Sequence, residues 1–135
     1  LFYLGDDVPK DLKETAKWMT RAAEQGEAAS QNTLAVLYYN GEGVEKNMEE
    51  AIKWWRRSAE NGNSKAQVSL GAMYYDGKGV EKDMAQALKW HYISIENGSD
   101  DAKQNRDTLE KEATPEQIST AKKLSDEWMK EHCLK

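Results

Sequence analysis

The apolar residues of the chain recur at helical rather than strand spacing. Met48, Ala51, Ile52, Trp55 and Ala59 fall on one stripe of a helix, and Leu34, Leu37 and Tyr38 fall on another. No stretch alternates apolar and polar residues over a length useful for a strand. The pattern predicts a first helix over about 27–40 and again over about 63–76, and a second over about 47–61 and 83–97. The same stripes return because the sequence repeats: Gly5, Gly41 and Gly77 open near-identical segments 36 residues apart. Val8, Val44 and Val80 keep the register, as do Lys10, Lys46 and Lys82, then Trp18, Trp54 and Trp90, and finally Gly26, Gly62 and Gly98. A fixed period of this size marks stacked helix pairs, each unable to bury its apolar face without a neighbour.

Punctuation supports that reading. A side-chain cap is expected at the start of the second helix in three copies, from Asp11 with Glu14, Asn47 with Glu50, and Asp83 with Gln86. Gly26, Gly62 and Gly98 stop the helix, and Gly41-Glu-Gly43 and Gly77-Lys-Gly79 turn the chain between helices. Gly71 lies inside a predicted helix, which points to a neighbour too close for a side chain; Ala35 fills the matching column. Near the end, Thr114-Pro-Glu-Gln117 opens a further helix, followed by Ile118, Ala121, Leu124 and Trp128 at helical spacing.

Charge narrows the function. The formal net charge is −5, from 24 acidic and 19 basic residues. Lysines and arginines are interspersed with acids, so no basic stripe exists to hold a phosphate backbone or a membrane surface. Neither nucleic acid nor membrane insertion is expected. Mean hydropathy is −0.91, and no long apolar run or signal-like segment is present. Cys133 is the only cysteine, so stability rests on packing rather than on an intrachain disulfide. The compartment stays open between cytoplasmic and periplasmic or secreted.

Candidate chemistry is sparse. No nucleophile, metal or cofactor motif is found; His132 beside Cys133 lacks further ligands, and the glycine turns lack the strand and lysine of a phosphate loop. His91 stands in the column of Met19 and Trp55 and is read as a packing residue, as are Trp18, Trp54 and Trp90.

The segments Leu70-Gly-Ala-Met-Tyr74, Gly77-x-Gly-Val80, Asp83 and Ala87-x-x-Trp90 resemble the Sel-1-like repeat, a relative of the tetratricopeptide repeat. Leu34-Ala-Val-Leu-Tyr38, Gly41-x-Gly-Val44, Asn47 and Ala51-x-x-Trp54 repeat the match. The resemblance covers nearly the whole chain and implies an all-α fold, a right-handed α-α superhelix of antiparallel helix pairs with a C-terminal capping helix, and a bacterial member of the family is expected. The chain is expected to be one such solenoid, with a partial repeat at 1–26, repeats at 27–62 and 63–98, and a degenerate capping repeat at 99–135. In the last of these, Arg106, Asp107 and Glu110 replace Leu70, Gly71 and Tyr74. Leu1-Phe-Tyr-Leu-Gly5 matches Leu37-Tyr-Tyr-Asn-Gly41, which places the first residue in the last turn of a helix whose earlier turns precede it.

What the resemblance implies for function is a non-enzymatic scaffold or adaptor that holds a protein or peptide on its concave face. On the first helices, Asn32, Val36, Tyr39 and Asn40, with Val68, Ala72, Tyr75 and Asp76, lie off the core stripe and are the expected partner contacts. A different role, as an enzyme or enzyme inhibitor acting on cell-wall or antibiotic-like molecules, is proposed for cysteine-rich relatives, whose paired cysteines this chain lacks. Self-association is a third expectation, because Leu1, Phe2, Trp18 and Met19 have no preceding helix to cover them.

Overall fold

The computed structural model describes the backbone of residues 7–132 and the side chains of residues 12–132. Its helices are α1 (Asp7–Glu24), α2 (Ala28–Asn40), α3 (Met48–Glu60), α4 (Ser64–Asp76), α5 (Met84–Glu96), α6 (Asp101–Glu112) and α7 (Pro115–Glu131), with no strand among the described residues. The all-α helical-repeat expectation therefore holds, and the paired helices fall within a residue of the ranges predicted for them. The chain forms two compact units, Leu1–Asn63 and Ser64–Lys135.

In the first unit, α2 lies against both α1 and α3. Leu34, Ala35 and Leu37 of α2 are buried with Ala51, Ile52, Trp54, Trp55 and Ala59 of α3, as the stripes required. Gly41 closes α2 in the left-handed conformation, with its amide donating to the Leu37 carbonyl at 2.8 Å. Gly43 is more constrained: φ is +76°, and a Cβ there would lie 2.1 Å from the Leu12 carbonyl oxygen of α1. No other residue fits that crossing without moving a helix.

One expectation fails here. Asp11 does not cap the start of its helix, because α1 begins at Asp7 and Asp11 is a turn inside it. The reason lies in the turn: Asp7 occupies the column of Gly43, so the positive-φ residue that ends the connection in the other copies is missing. Pro9 does not stop the helix, since first-turn amides have no intrahelical acceptor to lose.

The other caps form as read. Asn47 accepts from the Glu50 amide and Asp83 from the Gln86 amide, each at 3.1 Å. At α7, Thr114 accepts from the Gln117 amide at 3.1 Å while Gln117 Oε1 accepts from the Thr114 amide at 2.9 Å, a reciprocal box with Pro115 at the first helical position.

The second unit pairs α4 with α5 and sets α6 and α7 against α5. Met84, Ala87, Leu88, Leu109 and Ala121 form its apolar cluster, with Tyr74, Tyr75, Tyr92 and Ile118 packed around it. Trp90 is fully buried and meets Trp128 of α7 in a T-shaped contact with centroids 5.7 Å apart. The predicted packing role holds for Trp90 and Trp54 but not for Trp18, which is 59% exposed, with the Arg21 guanidinium 5.2 Å from its ring centroid.

Each unit carries its own copy of a polar clip. Ser58 donates to the Ala28 carbonyl at 2.6 Å and Asn61 to Gln31 Oε1 at 2.9 Å. One period later, Ser94 donates to the Ser64 carbonyl at 3.1 Å and Asn97 to Gln67 Oε1 at 3.0 Å. Gln31 and Gln67 are buried, so each clip satisfies polar groups that would otherwise be costly to enclose.

Candidate functional site

The expected contact residues of α2 are braced from behind. Tyr39 is partly exposed, and its ring lies 5.4 Å from that of the buried Trp55, tilted by 52°. Trp55 is in turn fixed by a hydrogen bond from Nε1 to Asn32 Oδ1 at 3.1 Å. Asn32, Trp55 and Tyr39 thus form one linked column. Asn32 spends its carbonyl oxygen inside that column. Val36 is half-buried beside it in sequence, and the exposed Asn40 donates to Glu42 at 3.1 Å.

In the second unit the same column carries different chemistry. His91 replaces Trp55 and Val68 replaces Asn32. His91 is 2% exposed. Its Nδ1 lies 2.7 Å from the Ala87 carbonyl oxygen, and because a carbonyl only accepts, Nδ1 carries the proton. Burial holds the His91 pKa below the usual histidine value, against a smaller opposing effect of the Ala87 hydrogen bond. Nε2 is shielded from solvent and has no hydrogen-bond partner among the described residues. Gly71 makes the ring's position possible, since a Cβ there would lie 2.7 Å from His91 Cε1 and 2.8 Å from Nδ1. The close approach read from Gly71 is therefore real, and the neighbour is this imidazole.

Without an indole beside it, Tyr75 turns to α6. Its hydroxyl donates to the Glu112 carboxylate, 2.8 and 2.7 Å from the two oxygens, and Lys82 Nζ lies 5.2 Å from its ring centroid. That hydrogen bond, then slight burial and the nearby Glu112 charge, raise the Tyr75 pKa. Tyr92 makes a parallel bond to Glu110 at 2.6 Å, and its pKa is raised by burial first and by Glu110 second. Ala72, Tyr75, His91, Asn105, Thr108 and Leu109 line an open cavity of about 180 Å³.

Of the residues singled out from the sequence, Ala72 and Tyr75 meet at this cavity, while Val68 is half-buried and Asp76 exposed on the same helix. Sequence reasoning missed Asn105, Thr108, Glu110 and Glu112, which it treated as a polar cap, and it gave His91 no cavity. The joint change of Trp55 to His91 and Asn32 to Val68 across the repeat was the available signal. Leu1, Phe2 and Cys133 lie outside the described residues. His132 stacks on Trp128 with centroids 3.9 Å apart. No helix among the described residues is long and apolar enough to cross a membrane.

Comparison with known proteins agrees with this architecture. A protective antigen present in uropathogenic Escherichia coli strains, displaying an SLR fold, superposes with a TM-score of 0.86 at 36% identity, over 90% of this chain and 26% of that one. A Sel1 repeat protein from Oxalobacter formigenes superposes with a TM-score of 0.68 at 36% identity, over 70% of this chain and 39% of that one. The chain thus spans well under half the length of either. No curated protein gives a significant match. The sequence model of the Sel1 repeat matches residues 1–27, 28–63 and 64–99 in turn. With that register, the glycine turns and the repeated clips in agreement, the chain belongs to the Sel1 repeat family, whose repeats commonly mediate protein–protein interaction.

Proposed function

We propose that the chain is a non-catalytic scaffold or adaptor that holds a protein or peptide through the faces of its first helices that lie off the core stripe. The contacts are Asn32, Val36, Tyr39 and Asn40 in the first unit and Val68, Ala72, Tyr75 and Asp76 in the second. The observation that carries this reading is the bracing of Tyr39: a partly exposed aromatic ring fixed against Trp55, itself tied to Asn32. A ring already immobilised loses little freedom on binding, which is why tyrosine dominates interaction hot spots. Asn32 also contributes by holding Trp55 in place.

The test has two steps. A partner is captured with the chain and then titrated against purified Tyr39→Ala and Tyr75→Ala variants. Each substitution is expected to weaken binding by roughly tenfold or more while helical content by circular dichroism stays constant. Unchanged affinity in both variants overturns this face as the contact surface.

Self-association through α1 is a second reading, favoured by the 59% exposure of Trp18. Trp18→Ser is expected to lower the apparent mass in light scattering across a concentration series. A parent chain that stays monomeric at every concentration rejects it.

A further inference from the structure

The repeat offers an internal control for the His91 cavity. In the first unit the indole is satisfied and in ring contact: Trp55 donates to Asn32 and lies against Tyr39. In the second unit both members of the hydrogen-bonded pair have changed together. The imidazole fills less of the column than an indole, Val68 offers no side-chain polar atom, and about 180 Å³ stands between α4, α5 and α6. The wall contains a neutral ring whose Nε2 is an acceptor with nothing to accept from. A buried acceptor left in this state costs stability, which any donor brought to it recovers.

We infer that this cavity is a binding site for a phenol-type group, its ring taking the space that the indole fills in the first unit and its hydroxyl donating to His91 Nε2. Size selects the class: a cavity of about 150 Å³ lined by aliphatic and aromatic carbon accepts benzene, so this volume suits one six-membered ring bearing an oxygen. Ala72, Leu109 and the Tyr75 ring supply apolar walls. A carboxylate ligand is disfavoured, because it would set its charge against the Nε2 lone pair and close to Glu112. The cavity is open to solvent but Nε2 has no surface that solvent reaches, so the hydroxyl meets it only when a neighbouring side chain shifts. Tyr75, which lines the cavity and is held by Glu112, is the side chain whose displacement this inference requires. Phenol chemistry reaches such a site as a free small molecule or as a tyrosine side chain of a partner; the second source rests on the protein-binding reading above.

The experiment titrates the whole chain with phenol, with toluene and with N-acetyl-tyrosinamide, following the imidazole ¹⁵N resonances of His91 and the ring resonances of Tyr75. Phenol is expected to saturate and to move the Nε2 resonance upfield, while toluene, of the same shape without a donor, binds roughly tenfold more weakly. His91→Phe keeps the wall and removes the acceptor, so the preference for phenol over toluene disappears. His91→Trp refills the column and abolishes binding of both. Should either variant fail to fold, the phenol and toluene titrations of the unaltered chain still decide. Binding of N-acetyl-tyrosinamide within about threefold of phenol assigns the site to a partner's tyrosine; its exclusion assigns it to a free small molecule. Phenol that leaves His91 unmoved, or that binds no better than toluene, overturns the inference. That failure, alongside a captured partner still sensitive to Tyr39→Ala, removes the pocket and leaves the protein-binding reading standing.

Discussion

Tyr39 and Tyr75 occupy one column of the repeat, yet their surroundings differ in kind. Tyr39 lies on a tryptophan that is hydrogen-bonded to an asparagine, so the first unit is closed by ring contact and a satisfied N–H. Tyr75 has a histidine and a valine in those two places, and its hydroxyl is taken by a glutamate of α6. The repeat scaffold is the same in both; the Gln31/Asn61 and Gln67/Asn97 clips are nearly superimposable in length. Two linked substitutions therefore mark the column that lines the cavity, while the helix pair itself stays intact. A repeat protein can hold its framework constant and vary one column per unit.

The largest effect that tests this contrast is truncation of the two column residues. Trp55→Ala removes a buried indole, its hydrogen bond and the support of Tyr39, and is expected to cost about 3–5 kcal/mol in urea denaturation. His91→Ala acts beside an existing cavity and removes an unsatisfied nitrogen, so its cost is expected to be about 1–2 kcal/mol. Equal costs would break the comparison.

Gly71→Ala comes next. Helix propensity favours alanine by about 1 kcal/mol, but the new Cβ would sit 2.7 Å from the imidazole, whose Nδ1 is tied to the Ala87 carbonyl, and 3.1 Å from that carbonyl oxygen itself. The clash is expected to win, giving a net loss of about 1–3 kcal/mol by thermal melting. In a His91→Ala background the same change becomes neutral or stabilising, a coupling that a double-mutant cycle reads directly.

Titration separates the units more gently. His91 has a folded pKa below its ordinary value of 6.5. The unfolded chain therefore binds a proton that the folded ring refuses, so this contribution is fully present above pH 6.5 and is lost as pH falls below it. The slope is at most about 1.4 kcal/mol per pH unit for one group. Hydrogen exchange should show the acid loss in residues 64–132, and His91→Phe should remove it.

The smallest expected effect is at Tyr92, whose pKa is raised above 10.0 by burial and Glu110. Its contribution is complete below pH 10 and declines as pH rises above it, because the unfolded phenol ionises first. Tyr92→Phe should flatten the alkaline limb of the stability profile, with a loss of about 0.5–1.5 kcal/mol near neutral pH for the missing hydrogen bond.

Much of the fold was legible because it is written three times. Apolar stripes, the Asn47 and Asp83 caps and the glycine turns each reflect a local rule that the backbone obeys without outside help. The Asp11 cap failed where one turn glycine had become Asp7, so the helix ran on past the column rule. The buried Gln31 and Gln67 clips also recur at 36 residues, but glutamine in a helix gives no local sign of being enclosed. The candidate site was less legible. Tyr39 and Tyr75 could be placed on a helix face, whereas the cavity depends on what His91 fails to fill and on side chains of α6 far along the chain. A polar helix with only Ala102 and Leu109 buried looks like a cap until Glu110 and Glu112 are seen holding Tyr92 and Tyr75.

The most direct test converts the second column into the first. Thermal unfolding of His91→Trp/Val68→Asn is followed from about pH 5 to about pH 8, the range in which a histidine near its ordinary pKa titrates. If the paired replacement is what opens the cavity, the double variant melts above the parent at every pH and its midpoint no longer falls on acidification. A lower midpoint, or an acid loss that persists without His91, would contradict the account.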